Sequence, residues 1–247
     1  MKSDKRIAVV TGGASGIGKC VSEALVLRGC TVCICDQNGA GARRVSEELH
    51  AKGHEAMAWE LDVAISAEVE RVFKEIASRA GPVSVLVTSA GIPGHGDIRE
   101  VNDELWQRVI GVDLSAVFYC MRECLKVMVA RRSGVIVNVS SLCGMMGCVS
   151  SPAYSAAKAG VIGLSKSCAR RYVQDGIRIN VVAPGLVDTP FVDPDRRVGK
   201  LAKGIEKIPM GRMGTAEEIA ALVAFLCSDE AAFIEGQVIS PNGGQYI

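Results

Sequence analysis

The run Ile7-Ala-Val-Val-Thr-Gly-Gly-Ala-Ser-Gly-Ile-Gly18 constrains this chain more than any other stretch. A short apolar, β-branched segment meets a cluster of glycines, and a helical pattern follows over Gly18–Arg28. A strand without a polar edge is buried on both faces, as in a parallel sheet covered by helices. Glycines at its end permit a tight turn and let the backbone approach a pyrophosphate, which free amides and the helix dipole hold at a helix N-terminus. The stretch reads as a dinucleotide cradle, with Thr11, Gly12, Ser15, Gly16, Ile17 and Gly18 as candidate contacts.

The rest of the chain repeats the alternation. Thr31–Cys35 predicts a second strand and Ala42–Ala51 a polar helix; "AMAWELD" leads to a helix over Ser66–Arg79, and "VSVLVTSAG" is a buried strand ending in glycine. A long helix over Asn102–Ala130, the strand "GVIVNVSS", a helix over Pro152–Tyr172, the strand "IRINVVAPG", a helix over Thr215–Leu226 and a last strand in "GQVISP" complete the series. Strand and helix alternating to the end imply an α/β fold, a doubly wound parallel sheet with helices on both faces. No linker or repeat interrupts it, so residues 1–247 are read as one domain. Ligands in such sheets sit at the carboxyl ends of the strands.

Charge balance removes several function classes. With 28 basic against 27 acidic residues, the chain has no net field to gather nucleic acid or an anionic membrane surface. The opening residues pass from charges straight into strand and glycines, unlike a signal peptide. Nothing approaches the ~20 apolar residues of a membrane span. The expectation is a soluble, cytoplasmic protein acting on a small molecule.

Cys30, Cys33 and Cys35 crowd one short stretch, spaced like a metal knuckle. In an extended chain, however, residues i and i+3 face opposite sides roughly 10 Å apart. The three histidines, His50, His54 and His95, supply no second ligand pair of the kind zinc needs. No metal is expected, and all ten cysteines are read as reduced thiols. Asp36 is the residue of consequence here. It ends the second strand about twenty residues past the glycines, where an acid accepts hydrogen bonds from an adenosine ribose. Its charge would repel a 2′-phosphate, and the glycine loop offers Ser15 in place of a basic residue, which favours NAD over NADP.

Tyr154 and Lys158 stand one helical turn apart and share a face. A fixed ammonium near a phenol favours the phenolate and lowers its pKa from about 10. That pair is read as a general acid/base with its tuning cation.

Taken together, Thr11-Gly-x-x-x-Gly16-x-Gly18, Asp36, Asp62-Val63, Ser89-Ala90-Gly91, Asn138–Ser141, Tyr154-x-x-x-Lys158, Ala183-Pro184-Gly185 and Gly243-Gly244 make the whole chain resemble the short-chain dehydrogenase/reductase family. The resemblance implies a Rossmann fold and hydride transfer to or from a nicotinamide. It casts Ser141 as the donor to the substrate oxygen, Tyr154 as the acid/base, and Lys158 as the holder of the nicotinamide ribose. It also sets Asp62 and Val63 near adenine, Ala90 and Gly91 near the adjoining ribose, and Pro184, Gly185, Val187 and Thr189 near the carboxamide. The family's oligomers imply a homodimer or homotetramer through Asn102–Ala130 and the helix carrying Tyr154, whose Ala156, Ala157, Ala159, Gly160 and Gly163 would permit close approach; the alternative is packing onto the chain's own sheet.

Two residues depart from the family pattern. Thr88 replaces an asparagine whose amide could bridge neighbouring strands, which implies a local loss of stability. Asp113 stands where the family has the asparagine of its catalytic tetrad, and an ionised Asp113 near Lys158 would offset the lysine and let the Tyr154 pKa rise.

The substrate side is read from two segments. In 189–214, Val198, Leu201, Ile205 and Ile208 recur at helical spacing, with Arg196, Lys200, Lys203 and Lys207 on another face. This predicts an amphipathic lid. Its basic face suits a carboxylate, coenzyme A or acyl-carrier protein, or is simply a solvated face. Met145, Met146 and Val149, with Leu186, either line an apolar substrate pocket or fill the core, and His95 lies in a loop near the mouth. The reading is an NAD-dependent oxidoreductase interconverting a secondary alcohol and a ketone. Its alternatives are a 3-oxoacyl-thioester reductase and an NAD(H)-binding sensor that has lost the chemistry.

Overall fold

The strand that carries the glycine run, β1 (Ile7–Thr11), lies between β2 (Thr31–Asp36) and β4 (Val83–Thr88), pairing in parallel with both. The computed structural model describes residues 5–192 and 204–247. Outward from β2 comes β3 (Ala56–Glu60), and outward from β4 come β5 (Gly134–Val139), β6 (Ile177–Val182) and β9 (Val238–Ile239). All seven strands run in one direction in the order β3-β2-β1-β4-β5-β6-β9. The chain order reverses between β1 and β4, and the crevice at that switch point is where such sheets bind ligands. A separate pair, β7 (Val187–Asp188) with β8 (Gly214–Thr215), lies beyond β6 in the chain.

Each face of the sheet is covered by helices, because strands apolar on both sides bury little unless both sides are packed. On one face α1 (Gly16–Leu27), α2 (Gly39–Ala51) and α8 (Ala216–Leu226) set Val21, Leu25, Val45, Leu49, Ile219 and Val223 against Ala8, Val10 and Ile34. On the other, α3 (Ser66–Arg79), α5 (Ala116–Arg131) and α7 (Pro152–Tyr172) set Val72, Ile76, Met121, Cys124 and Val161 against Val9, Leu86 and Ile136. The cysteines of this stretch divide between the two faces: Cys33 and Cys35 of β2 share a core with Trp59 and Phe73, while Cys30, just before the strand, joins the opposite core. All ten cysteines are free thiols. Among the described residues no cluster could hold a metal ion, and no helix is long and apolar enough to cross a membrane.

The expected elements occur, with local differences. The helix expected over Asn102–Ala130 is α4 (Asp103–Ile110) and α5 joined by a π-helical turn, Gly111–Ser115, centred on Asp113. Such widened turns concentrate at functional sites. A short helix, α6 (Leu142–Met146), follows β5 where no helix is expected. In the lid segment, Val198, Leu201, Arg196, Lys200 and Lys203 lie outside the described residues. Helical backbone at Gly204 and Ile205 gives way to turns from Glu206, so the expected helix does not reach Ile208. Ile208 is instead buried below Gly243.

Candidate active site

The glycine loop is shaped by backbone contact. Gly12 has φ of 67°, a conformation costly for other residues, and a Cβ there would stand 2.8 Å from the Ala90 nitrogen. The loop therefore closes directly on the segment after β4, where the Ser89 and Ala90 amides donate to Thr11 Oγ1 at 3.2 and 3.4 Å. Ser15 precedes α1 without capping it through its side chain, and no acid lies in the first turn. The helix thus presents free amide donors under an electropositive end, which suits a pyrophosphate. Thr189 faces this cradle, with its Cβ 3.5 Å from where a Gly16 Cβ would be. Ile17 lies beside the loop and packs against the core.

Asp36 serves the loop as well as facing the crevice. Its Oδ2 accepts the Ala14 N–H at 3.0 Å and its Oδ1 the Asn38 N–H at 2.9 Å. Asp62 accepts the Ala64 N–H at 2.9 Å, and Val63 beside it is buried. These residues and Ala90 fit one side of a nicotinamide dinucleotide. Pro184 O accepts the Leu142 N–H at 2.8 Å, Gly185 donates to Pro241 O at 3.1 Å, and Val187 is buried, so the loop after β6 is held from both sides.

Ser141, Tyr154, Lys158 and Asp113 come together at the ends of β4 and β5. Ser141 caps α6, its Oγ accepting the Cys143 N–H at 3.1 Å. That leaves the hydroxyl proton free to donate elsewhere. Lys158 is 4% exposed; its Nζ donates to Val139 O at 3.1 Å and stands 5.6 Å from the centroid of the Tyr154 ring. Asp113 is fully buried, with Oδ1 3.3 Å from Lys158 Nζ and Oδ2 accepting the Ile92 N–H at 3.2 Å. Gly91 lies over this ion pair so closely that a Cβ would stand 2.7 Å from Asp113 Oδ1.

The phenol pKa is not lowered, as the Tyr154 and Lys158 spacing alone would have it, but raised, the direction expected from Asp113. Burial and the Asp113 charge hold it well above the usual tyrosine range, with Ser141 hydrogen bonding pulling it partly back. Burial is the larger cause, and the carboxylate paired with Lys158 adds to it. Burial raises the Asp113 carboxyl too, while Lys158 opposes that shift.

The Thr88 expectation is also corrected. Its hydroxyl donates to Asn138 Oδ1 at 2.8 Å, and Asn138 Nδ2 donates to Ser165 Oγ at 2.9 Å, so β4, β5 and α7 remain bridged by side chains. Asn138 and Ser140, whose hydroxyl donates to Lys158 O at 2.8 Å, are positioning residues that the sequence reading named within the Asn138–Ser141 motif without giving either a role. A polar residue inside an apolar strand was the available signal for Asn138. Phe191, 5.9 Å from the Tyr154 ring, carried none.

On the substrate side, Met145 is half-buried, Met146 is 56% exposed, and Val149 is fully exposed, so none of them fills the core. Leu186 is half-buried and lies against Gly204. His95 is exposed, with Nδ1 2.9 Å from Ser151 Oγ just before α7. On α7, Ala157 is buried and Gly160 packs on Leu114, while Ala156, Ala159 and Gly163 face outward.

A family model described as enoyl-(acyl carrier protein) reductase matches residues 12–245. The chain is 40% identical over 250 residues to 3-oxoacyl-[acyl-carrier-protein] reductase FabG of Salmonella typhimurium, covering all of both chains. It is 41% identical over 244 residues to cis-4-hydroxycyclohexanecarboxylate dehydrogenase of Sinomonas cyclohexanicum, covering 97% of this chain and 96% of that one. The crystal structure of gox2181 matches with a TM-score of 0.93 at 31% identity, over 98% of this chain and 96% of that chain. The glycine cradle at the switch point, the tyrosine and lysine one turn apart, and this likeness along the whole length agree: the chain belongs to the short-chain dehydrogenase/reductase family and is an oxidoreductase that uses a nicotinamide cofactor.

Proposed function

We propose that this protein interconverts a secondary alcohol and a ketone with NAD, Tyr154 being the group that exchanges a proton with the substrate oxygen. The observation that carries the reading is the convergence of the Ser141 hydroxyl, the Tyr154 phenol and the Lys158 ammonium beside the glycine cradle. Ser141 has its acceptor side engaged by Cys143 and offers its proton to the substrate oxygen. Tyr154 takes the hydroxyl proton in oxidation and returns one to the carbonyl oxygen in reduction. Lys158, anchored by Val139 O and Asp113, keeps a donor for the cofactor ribose. When bound, the nicotinamide supplies the hydride acceptor or donor. Asp36 supports NAD, since its carboxylate at the end of β2 would repel a 2′-phosphate. The outward small residues of α7, with Phe118 44% exposed on α5, support a homodimer or homotetramer.

A second reading, reduction of a 3-oxoacyl thioester, is favoured by two observations. One is the likeness to enzymes named for that substrate. The other is the phenol held protonated, the state that delivers a proton to a carbonyl. The relative acting on a hydroxycyclohexanecarboxylate supports an alicyclic alcohol instead.

Following NADH absorbance across a panel of alicyclic alcohols, their ketones and 3-oxoacyl thioesters tests both readings. Turnover is expected with NAD(H) in preference to NADP(H), and Tyr154→Phe should lower kcat by roughly 10²–10⁴ while NADH still binds. The best substrate chooses between the two. Binding of NADH without turnover of any substrate in either direction would overturn both and favour a cofactor sensor.

A further inference from the structure

Two thiols at the site take no part in the proton path. Cys143 lies in α6, and Gly147, with φ of 78°, turns the chain back immediately after that helix. The Ser155 hydroxyl on α7 accepts the Cys148 N–H at 2.9 Å and pins the returning chain. That turn sets the Cys143 and Cys148 side chains beside each other, where each thiol acts on the other. Both are half-buried, whereas Cys33, Cys35, Cys120 and Cys124 are enclosed in the core. Hydrogen bonds from Cys143 and from the Ser150 and Ser151 region hold Cys148 below the usual thiol range, and the same contact raises Cys143. One sulfur of the pair is thus the nucleophile and its neighbour the resolving thiol.

The link to catalysis is short. The Cys143 N–H is the group that holds Ser141 Oγ. α6 also presses on α7 beside the catalytic lysine, where a Cβ at Gly144 would stand 2.6 Å from the Lys158 carbonyl carbon.

We propose that Cys143 and Cys148 are a peroxide-responsive dithiol that closes to an intramolecular disulfide, draws the Cys143 amide off Ser141 and stops turnover. The effect on turnover rests on the function proposed above; the disulfide itself does not. The Cys148 thiolate attacks an oxygen of a hydroperoxide, the O–O bond breaks, and the leaving oxygen takes a proton and departs as alcohol, or as water from hydrogen peroxide. Cys148 is left as a sulfenic acid. The Cys143 sulfur then attacks the Cys148 sulfur, the S–O bond breaks, and the hydroxyl leaves as water with the Cys143 thiol proton. Two thiols lose two electrons, the hydroperoxide gains them, and a dithiol reductant reverses the change.

Trypsin releases both cysteines in one peptide, Ser133–Lys158. Reduced protein is treated with hydrogen peroxide, alkylated with iodoacetamide and digested. The expected product is that peptide unalkylated and lighter by about 2 Da than its reduced form, appearing as activity falls roughly 100-fold, the scale on which one hydrogen-bond donor to a reacting oxygen counts. Dithiothreitol should restore both mass and rate, and Cys148→Ser should stay active through the same treatment. Both cysteines alkylated in inactivated protein would overturn the proposal. So would an activity loss that dithiothreitol does not reverse, as oxidation of Met145 or Met146 to sulfoxide would give. A disulfide formed with no loss of activity overturns the coupling to Ser141. If reduced protein turns over nothing, the proposed function fails, and the peptide mass still decides whether the dithiol closes.

Discussion

Asp113 acts through its charge on Tyr154, the proposed acid/base, and its effect has a definite sign. Its charge disfavours the phenolate, so removing the charge while keeping the shape lowers the Tyr154 pKa. Asp113→Asn is therefore expected to move the acid limb of the oxidation rate to lower pH by about one unit. A kcat–pH profile of the two proteins checks this, and coincident profiles would sever the coupling. Gly12 offers a second test. Gly12→Ala combines a positive φ with a contact of 2.8 Å against Ala90, so NADH affinity should fall at least about tenfold, a loss of 1.4 kcal/mol, as read by fluorescence titration. At this scale the sequence was legible where placement rests on local spacing: the glycines that close on Ala90, Asp36 at the end of β2, and Tyr154 one turn from Lys158. It was silent on Phe191 and on the meeting of Cys143 with Cys148, because those contacts depend on how a loop and a helix turn in space.

The elements show how one buried polar chain locks the site's frame. Thr88 on β4, Asn138 on β5 and Ser165 on α7 hydrogen-bond in sequence with no solvent access. Thr88→Val keeps the volume and strands Asn138 Oδ1, for a cost of about 1–3 kcal/mol. Denaturant unfolding should show it as a lower midpoint with an unchanged m-value. Strands and long helices were readable because their apolar periods are strong, as with α3 and α7. The π turn escaped notice because Gly111–Ser115 continues a helical pattern, and pattern cannot distinguish the width of a turn. α6 is one and a half turns whose N-cap, Ser141, is also the proposed donor to the substrate oxygen; such a short piece has no period to detect.

Across the whole molecule, strand order places the glycine loop, Ser141, Tyr154 and Lys158 at one edge of the sheet, and the β-α alternation was sufficient to anticipate that edge. The seam between β6 and the C-terminal residues was not foreseen. There Glu235 accepts the Ile179 N–H at 3.0 Å, and burial raises its carboxyl to about 7. An acid whose folded pKa is raised above its ordinary value of 4.5 binds more protons in the folded state, so stability falls as pH climbs from about 4.5 to about 7 and levels above that. Glu235→Gln keeps an acceptor for Ile179 and should remove this slope, making the variant the more stable protein at pH 8. Thermal unfolding across that range reads the difference. The same seam has a consequence for synthesis. Gly185 is backed by Pro241 and Asn242, and Gly243 holds Met210. A growing chain that has made Ser141, Tyr154 and Lys158, but has not yet reached residues 238–243, lacks the wall behind the loop at Gly185, so that loop is completed late in translation, well after the tyrosine itself.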